Sequence, residues 1–151
     1  MSEAAKQTKW MVRHVNELPA QMLEGVKITR VLEGTAFDNL GCEYVVLERG
    51  QSLDTHVHEE ANSFILVLEG SGFVEMEGRE LAVRPGHTVY VPAGVSHGFR
   101  TADEPLVLYG FQSPPIIQDM SNVDILFEQK AGQSVITPWA SADSAPAPAE
   151  G

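Results

Sequence analysis

Between Val26 and Gln112 apolar and polar residues alternate in short runs, and glycine- or proline-containing breaks interrupt them about every 8 to 12 residues. Runs of Val, Ile, Leu, Phe and Tyr with a period of two predict β-strands rather than helices. The strands expected are Val26–Leu32, Glu43–Glu48, Ser52–His58, Ser63–Glu69, Gly72–Met76, Arg79–Val83, Thr88–Val91, Gly98–Arg100 and Leu106–Gln112. Glu77-Gly78 reads as a hairpin turn, since glycine takes the positive φ that tight hairpins require. Pro85-Gly86 and Pro92-Ala93-Gly94 mark further turns. Helix is scarce: Glu17–Leu23 and Asn122–Phe127 predict at most short segments outside the sheets. The pattern implies one all-β domain, a sandwich or a barrel.

The ends differ from this body. Trp139 to Gly151 is almost entirely Ala, Ser, Pro, Asp and Glu, which bury too little apolar surface to offset the entropy of ordering, so a disordered tail is expected. Residues 1–9 are similarly polar and are also expected to be disordered, which leaves a folded body over 10–138. Nothing repeats within that body.

Composition narrows the partners. Ten basic residues against twenty-one acidic ones give a formal charge of −11, which repels phosphate backbones and anionic lipid alike. Nucleic-acid and membrane partners are therefore not expected, and no apolar run approaches the ~20 residues a spanning helix needs. The polar start does not resemble a secretory signal, and Cys42 is the only cysteine, so a cytoplasmic location is expected. Cys42 itself reads as a small buried residue of a strand.

Candidate chemistry lies in the histidines. His56 and His58 are separated by one residue in an expected strand, so both imidazoles lie on one face within reach of a single metal ion. Two ligands do not make a site, and a third is required.

The surrounding residues resemble both sequence motifs of the cupin superfamily. The first is matched by Gly50, five residues, His56-Val57-His58 and then, after a departure, Val67-Leu68-Glu69-Gly70. The second is matched by Gly86, five residues, and Pro92-Ala93-Gly94-Val95-Ser96-His97, with Thr101 in place of its terminal asparagine. The resemblance implies a jelly-roll barrel of two antiparallel sheets, with one divalent metal ion held inside by His56, His58 and His97. Family members usually add a glutamate. Its position here falls on Ser63, or on Asn62 with the alternative spacing, and neither is a carboxylate. Glu59 and Glu60 fall in the turn after His58, where solvated acidic residues are the default; a shifted register would bring Glu60 inward.

Three neutral imidazoles leave the metal its full +2 charge and free up to three of about six coordination positions for an anionic chelating substrate and O2. This is similar to the three-histidine iron cupins, the β-diketone-cleaving and thiol dioxygenases, and favours Fe(II), with Zn, Mn, Ni and Co as alternatives. The function expected is a non-haem Fe(II) dioxygenase acting on a small, largely apolar chelating substrate, because no acid–base residue is visible beside the histidines. The alternatives are a non-catalytic small-ligand-binding cupin and a Zn-dependent isomerase or lyase acting on a sugar-like or keto acid.

Parity refines the pocket. With Ser63 inward, Ile65 and Val67 follow it, and counting from His97 places Phe99 inside too, which makes an apolar lining. Phe64, Leu66 and Leu68 then face outward. A strand apolar on both faces predicts a homodimer that buries the second face, in preference to cover by the N-terminal segment. Surface or packing roles are expected for His14 and His87, and strand propensity alone explains Tyr44, Tyr90 and Tyr109.

Overall fold

The computed structural model describes residues 10–23, 26–32, 39–119, 122–128 and 136–138. The segments expected to be disordered, 1–9 and 139–151, lie outside them. In chain order the strands are β1 (Ala20–Leu23), β2 (Val26–Leu32), β3 (Gly41–Leu47), β4 (Ser52–Val57), β5 (Asn62–Glu69), β6 (Gly72–Met76) and β7 (Arg79–Val83). They continue with β8 (Thr88–Val91), β9 (His97–Thr101), β10 (Leu106–Ser113), β11 (Ile117–Asp119), β12 (Asn122–Val123), β13 (Leu126–Glu128) and β14 (Ile136–Pro138). All nine expected strands form, with ends shifted by up to two residues.

Two six-stranded antiparallel sheets face each other. One runs β1-β2-β3-β10-β5-β8 and the other β14-β13-β4-β9-β6-β7, with β11 and β12 paired apart from both. This is the jelly-roll architecture expected. Between the sheets lies a core that includes Val26, Leu47, Val67, Val74, Val91 and Leu106. The alternation of β5 appears directly: Ser63, Ile65 and Val67 are buried, Phe64 is exposed and Leu66 and Leu68 are half-buried. No helix among the described residues is long and apolar enough to cross a membrane.

Neither short helix predicted outside the barrel forms. In place of Glu17–Leu23 a 3-10 turn spans Val15–Glu17, and Ala20–Leu23 pairs with β2 as an edge strand. In place of Asn122–Phe127, β12 pairs with β11 and β13 pairs with β4. In both places sheet edges offered backbone partners to chain whose helical pattern was short, and tertiary pairing overrode local preference.

Local chemistry sets the connections that matter to the site. Glu77 (φ 49°) and Gly78 (φ 84°) both take positive φ, which matches the right-handed twist of β6 and β7 in a two-residue hairpin. At Gly98 a Cβ atom would come within 2.7 Å of the Leu53 carbonyl oxygen, so only glycine lets β9 approach β4 this closely. The two motif ends also meet. Thr101, in the place of the family's asparagine, accepts the Gly50 N–H through Oγ1 at 2.9 Å and donates to the Gln51 carbonyl at 3.1 Å.

Candidate metal centre

Adjacent strands of one sheet bring the three histidines together. His56 on β4 pairs in register with His97, the first residue of β9, and His58 follows just beyond the end of β4. Ring centroids are 4.3 Å apart for His56 and His97, and 5.0 Å for His58 with either of them. One ligand atom from each lies within 4.8 Å of the other two, and all three residues are buried.

The hydrogen bonds of these rings decide which atoms face the centre. His56 Nδ1 donates to the Asp54 carbonyl at 2.6 Å, His58 Nδ1 to that of Asp124 at 2.7 Å, and His97 Nδ1 to that of Val95 at 2.9 Å. A carbonyl only accepts, so each Nδ1 carries the proton and each Nε2 presents its lone pair. This carbonyl-oriented, neutral tautomer is the arrangement that metal-bound imidazoles require. The donor set therefore fits one divalent ion.

Electrostatics agree. Burial pushes the His56 pKa well below its usual value, reinforced by His97 and His58 and countered in part by the Asp54 carbonyl. Burial likewise lowers His58 against the opposing pull of Asp124, and lowers His97 to about 4 with help from His58. The folded pKa values lie below the ~6.5 of an exposed imidazole, so on acidification the unfolded chain takes up these protons first. The metal-free protein should thus keep its full stability above about pH 6.5 and lose it as the pH falls toward about 4. Urea midpoints across that range should show the decline, and His97→Leu should make it shallower; equal slopes would contradict the assignment.

Asp124 was not foreseen. It lies between β12 and β13, where its carboxylate accepts the backbone N–H of Glu59 at 2.6 Å and those of Glu60 and Ala61 at 2.9 Å each. Its main-chain oxygen is the one that orients His58. One residue thus clamps the whole turn after His58. Phe127, the register partner of His56 on β13, packs its ring 5.3 Å from that imidazole.

The two candidate positions for the missing carboxylate differ in burial. Ser63 is buried and lines the same cavity as the histidines, whereas Asn62 is exposed and accepts the Ala93 N–H. Glu60 is exposed beside a separate surface depression and does not join the ligand cluster. The cavity volume is about 80 Å³. Ile65 and Phe99 line it with Ile28, Val45 and Leu108; Val67 lies in the core instead, outside the lining.

Two more polar residues line the cavity, Glu43 on β3 and Gln112 on β10, both buried. The expectation that no acid–base group accompanies the histidines is therefore corrected. The inward face of β3 carries a carboxyl group, which the motifs give no reason to notice.

His14 and His87 have local roles. His14 caps the turn at Val15, accepting the Asn16 N–H, and exposed His87 accepts the Arg84 N–H. Cys42 is buried, its thiol pushed up to about 12 by burial and by the neighbouring Glu43.

Residues 43–110, which span both histidine strands, match the family model of the cupin domain. Over this stretch the chain carries a cupin domain. Solved cupin-like structures superpose over most of it. KdgF from a Halomonas species matches with a TM-score of 0.61 at 23% identity, covering 72% of this chain and 94% of its own. The polyketide cyclase RemF from Streptomyces resistomycificus matches with a TM-score of 0.63 at 21% identity, covering 70% and 80%. A predicted oxalate decarboxylase from Thermotoga maritima matches with 0.64 at 18% identity, covering 69% and 99%. These likenesses concern the fold. No curated protein sequence matches the chain.

Proposed function

We propose that this cupin is a metal-dependent enzyme that binds a small, chelating, largely apolar substrate at its three-histidine centre and, with Fe(II), cleaves or oxidises it using O2. The observation that carries this reading is the ligand set: three oriented imidazoles, joined by no carboxylate among the described residues, on a cavity walled mainly by apolar side chains. An iron ion held there by His56, His58 and His97 would supply Lewis acidity and redox chemistry. The chain's own part is to fix the three Nε2 atoms through Nδ1–H bonds and to hold the substrate body against Ile65 and Phe99 with water excluded.

Glu43 favours a second reading, a Zn-dependent isomerase or lyase, because a carboxyl group in the cavity is a candidate proton carrier. The fold does not choose between them, since cupin-like structures carry names as different as cyclase and decarboxylase. The test pairs metal analysis of protein purified without added metal with oxygen uptake by the Fe(II) form against diketones, thiols and hydroxylated aromatics. Iron content and O2 consumption matching product formation support the oxygenase. Turnover of the zinc form without O2 replaces it with the second reading, and metal binding with no turnover by either form leaves a binding module.

We also propose that a second copy covers the outer face of the β3-β10-β5-β8 region. Tyr44 meets Tyr109 edge-on and Tyr109 stacks on Phe111 there, beside Phe64, 45% exposed, and Tyr90, 60% exposed. The N-terminal residues β1 and β2 extend the sheet edgewise, so they do not lie over this face. Aromatic residues are enriched at such interfaces. Sedimentation should report twice the monomer mass, and Phe64→Asp should return a monomer; a monomeric parent protein at micromolar concentration excludes the dimer.

A further inference from the structure

Across the cavity from the histidine strands, the sheet containing β3, β10 and β5 turns three polar side chains inward. They are Glu43, Gln112 and Ser63, whose neighbours on the same face are mostly aliphatic. Ser63 and Gln112 are register partners on β5 and β10, so their side chains leave the sheet side by side. Gln112 donates through Nε2 to Glu43 Oε1 at 2.5 Å. That bond fixes the amide: its nitrogen faces the carboxyl group and Oε1 points away.

The remaining polar atoms are the informative ones. Ser63 Oγ and Gln112 Oε1 are buried without any hydrogen-bond partner among the described residues, and the residues are only 2% and 4% exposed. A buried polar atom left unsatisfied destabilises the fold, and an apolar residue at either position would avoid that cost. The two atoms share one cavity wall, Gln112 Oε1 leaning toward Gly41 on β3 and Ser63 Oγ standing on β5, and such a wall marks a place where a ligand completes the hydrogen bonding.

We propose that Ser63 and Gln112 form a polar subsite, backed by Glu43, that recognises a hydroxyl group on a ligand whose other end chelates the metal. The inference deepens the function proposed above and rests on its metal centre. Gln112 Oε1 is an acceptor, so a group it meets must donate; Ser63 Oγ both donates and accepts, so a group it meets can do either. A hydroxyl suits each of these atoms. A methyl group satisfies neither, and a second carboxylate would set its charge against Gln112 Oε1 and Glu43 with nothing to donate. The substrate class is accordingly a chelating hydroxy or oxo compound with an apolar skeleton and an uncharged hydroxyl substituent, in preference to a dicarboxylate.

The test uses the full chain loaded with Co(II) and two series of chelators, each differing at a single substituent. Allomaltol, kojic acid and comenic acid carry methyl, hydroxymethyl and carboxylate on one hydroxypyrone ring; lactate, glycerate and tartronate carry the same three on a hydroxy acid. Calorimetry should show the hydroxymethyl member of at least one series binding about tenfold tighter than its methyl counterpart, and the carboxylate member weakest. Ser63→Ala and Gln112→Met should abolish the hydroxymethyl advantage while leaving the affinity of the methyl member unchanged, a selectivity that general loosening of the barrel does not produce. Should Gln112→Met fail to fold, Ser63→Ala, which removes a single oxygen atom, decides. Co(II) bound normally with no hydroxymethyl preference in either series, or a preference that survives Ser63→Ala, overturns the subsite and leaves the metal centre standing. Failure of the parent protein to bind Co(II) overturns both.

Discussion

Replacing His97 with alanine should reduce metal affinity more than about 100-fold, since removing merely the outer hydrogen-bond partner of a ligand costs 10–100-fold. His56→Ala and His58→Ala should do the same, because each supplies one of three Nε2 atoms whose partners cannot be replaced from solvent without loss of orientation. His14→Ala and His87→Ala, which alter exposed turns, should leave metal content at the parent level. Metal analysis after equilibrium dialysis distinguishes these outcomes. Full occupancy in His97→Ala would falsify the assignment of the centre.

Asp124→Ala should destabilise the protein by about 2 kcal/mol, since the N–H of buried Ala61 loses its acceptor while those of exposed Glu59 and Glu60 can turn to water. The carboxylate holds three consecutive N–H groups, one of them on Ala61, which is fully buried, so water cannot take over that bond. Because the same residue's carbonyl orients His58, metal affinity should fall about tenfold as well. Asp124→Asn keeps one acceptor oxygen and should lie between the two. Denaturant titrations with and without metal check this, and a parent-like midpoint for Asp124→Ala means the clamp is not needed.

Most of the barrel and the three ligands were legible because their signals are local. Period-two runs and glycine turns mark β2 to β10, and His56, His58 and His97 stand at fixed distances from Gly50, Gly86 and Pro92. Residues after Pro114 were not legible in the same way, since β11 to β13 are two or three residues long and exist only by pairing with strands or with each other. Glu43 and Gln112 were overlooked for a related reason. Parity on β3 and β10 places both inward, but what makes them a site is register across strands, and one sequence does not display register. The aspartate between Val123 and Ile125 is an acidic residue in an apolar stretch, the one local hint of a buried partner.

The Asp124 clamp also sets a schedule. His58 Nδ1 and its carbonyl partner are separated by 66 residues, and that long loop must close before the contact forms. During synthesis a nascent chain can display all three imidazoles while the turn following His58 still lacks its staple and Phe127 has yet to cover His56. Metal capture in its final geometry is therefore expected late, after the chain has emerged beyond β13, and the ion should act as a lock on a finished barrel rather than as a nucleus for folding it. Stopped-flow refolding checks this order: added metal should slow unfolding and leave the folding rate unchanged.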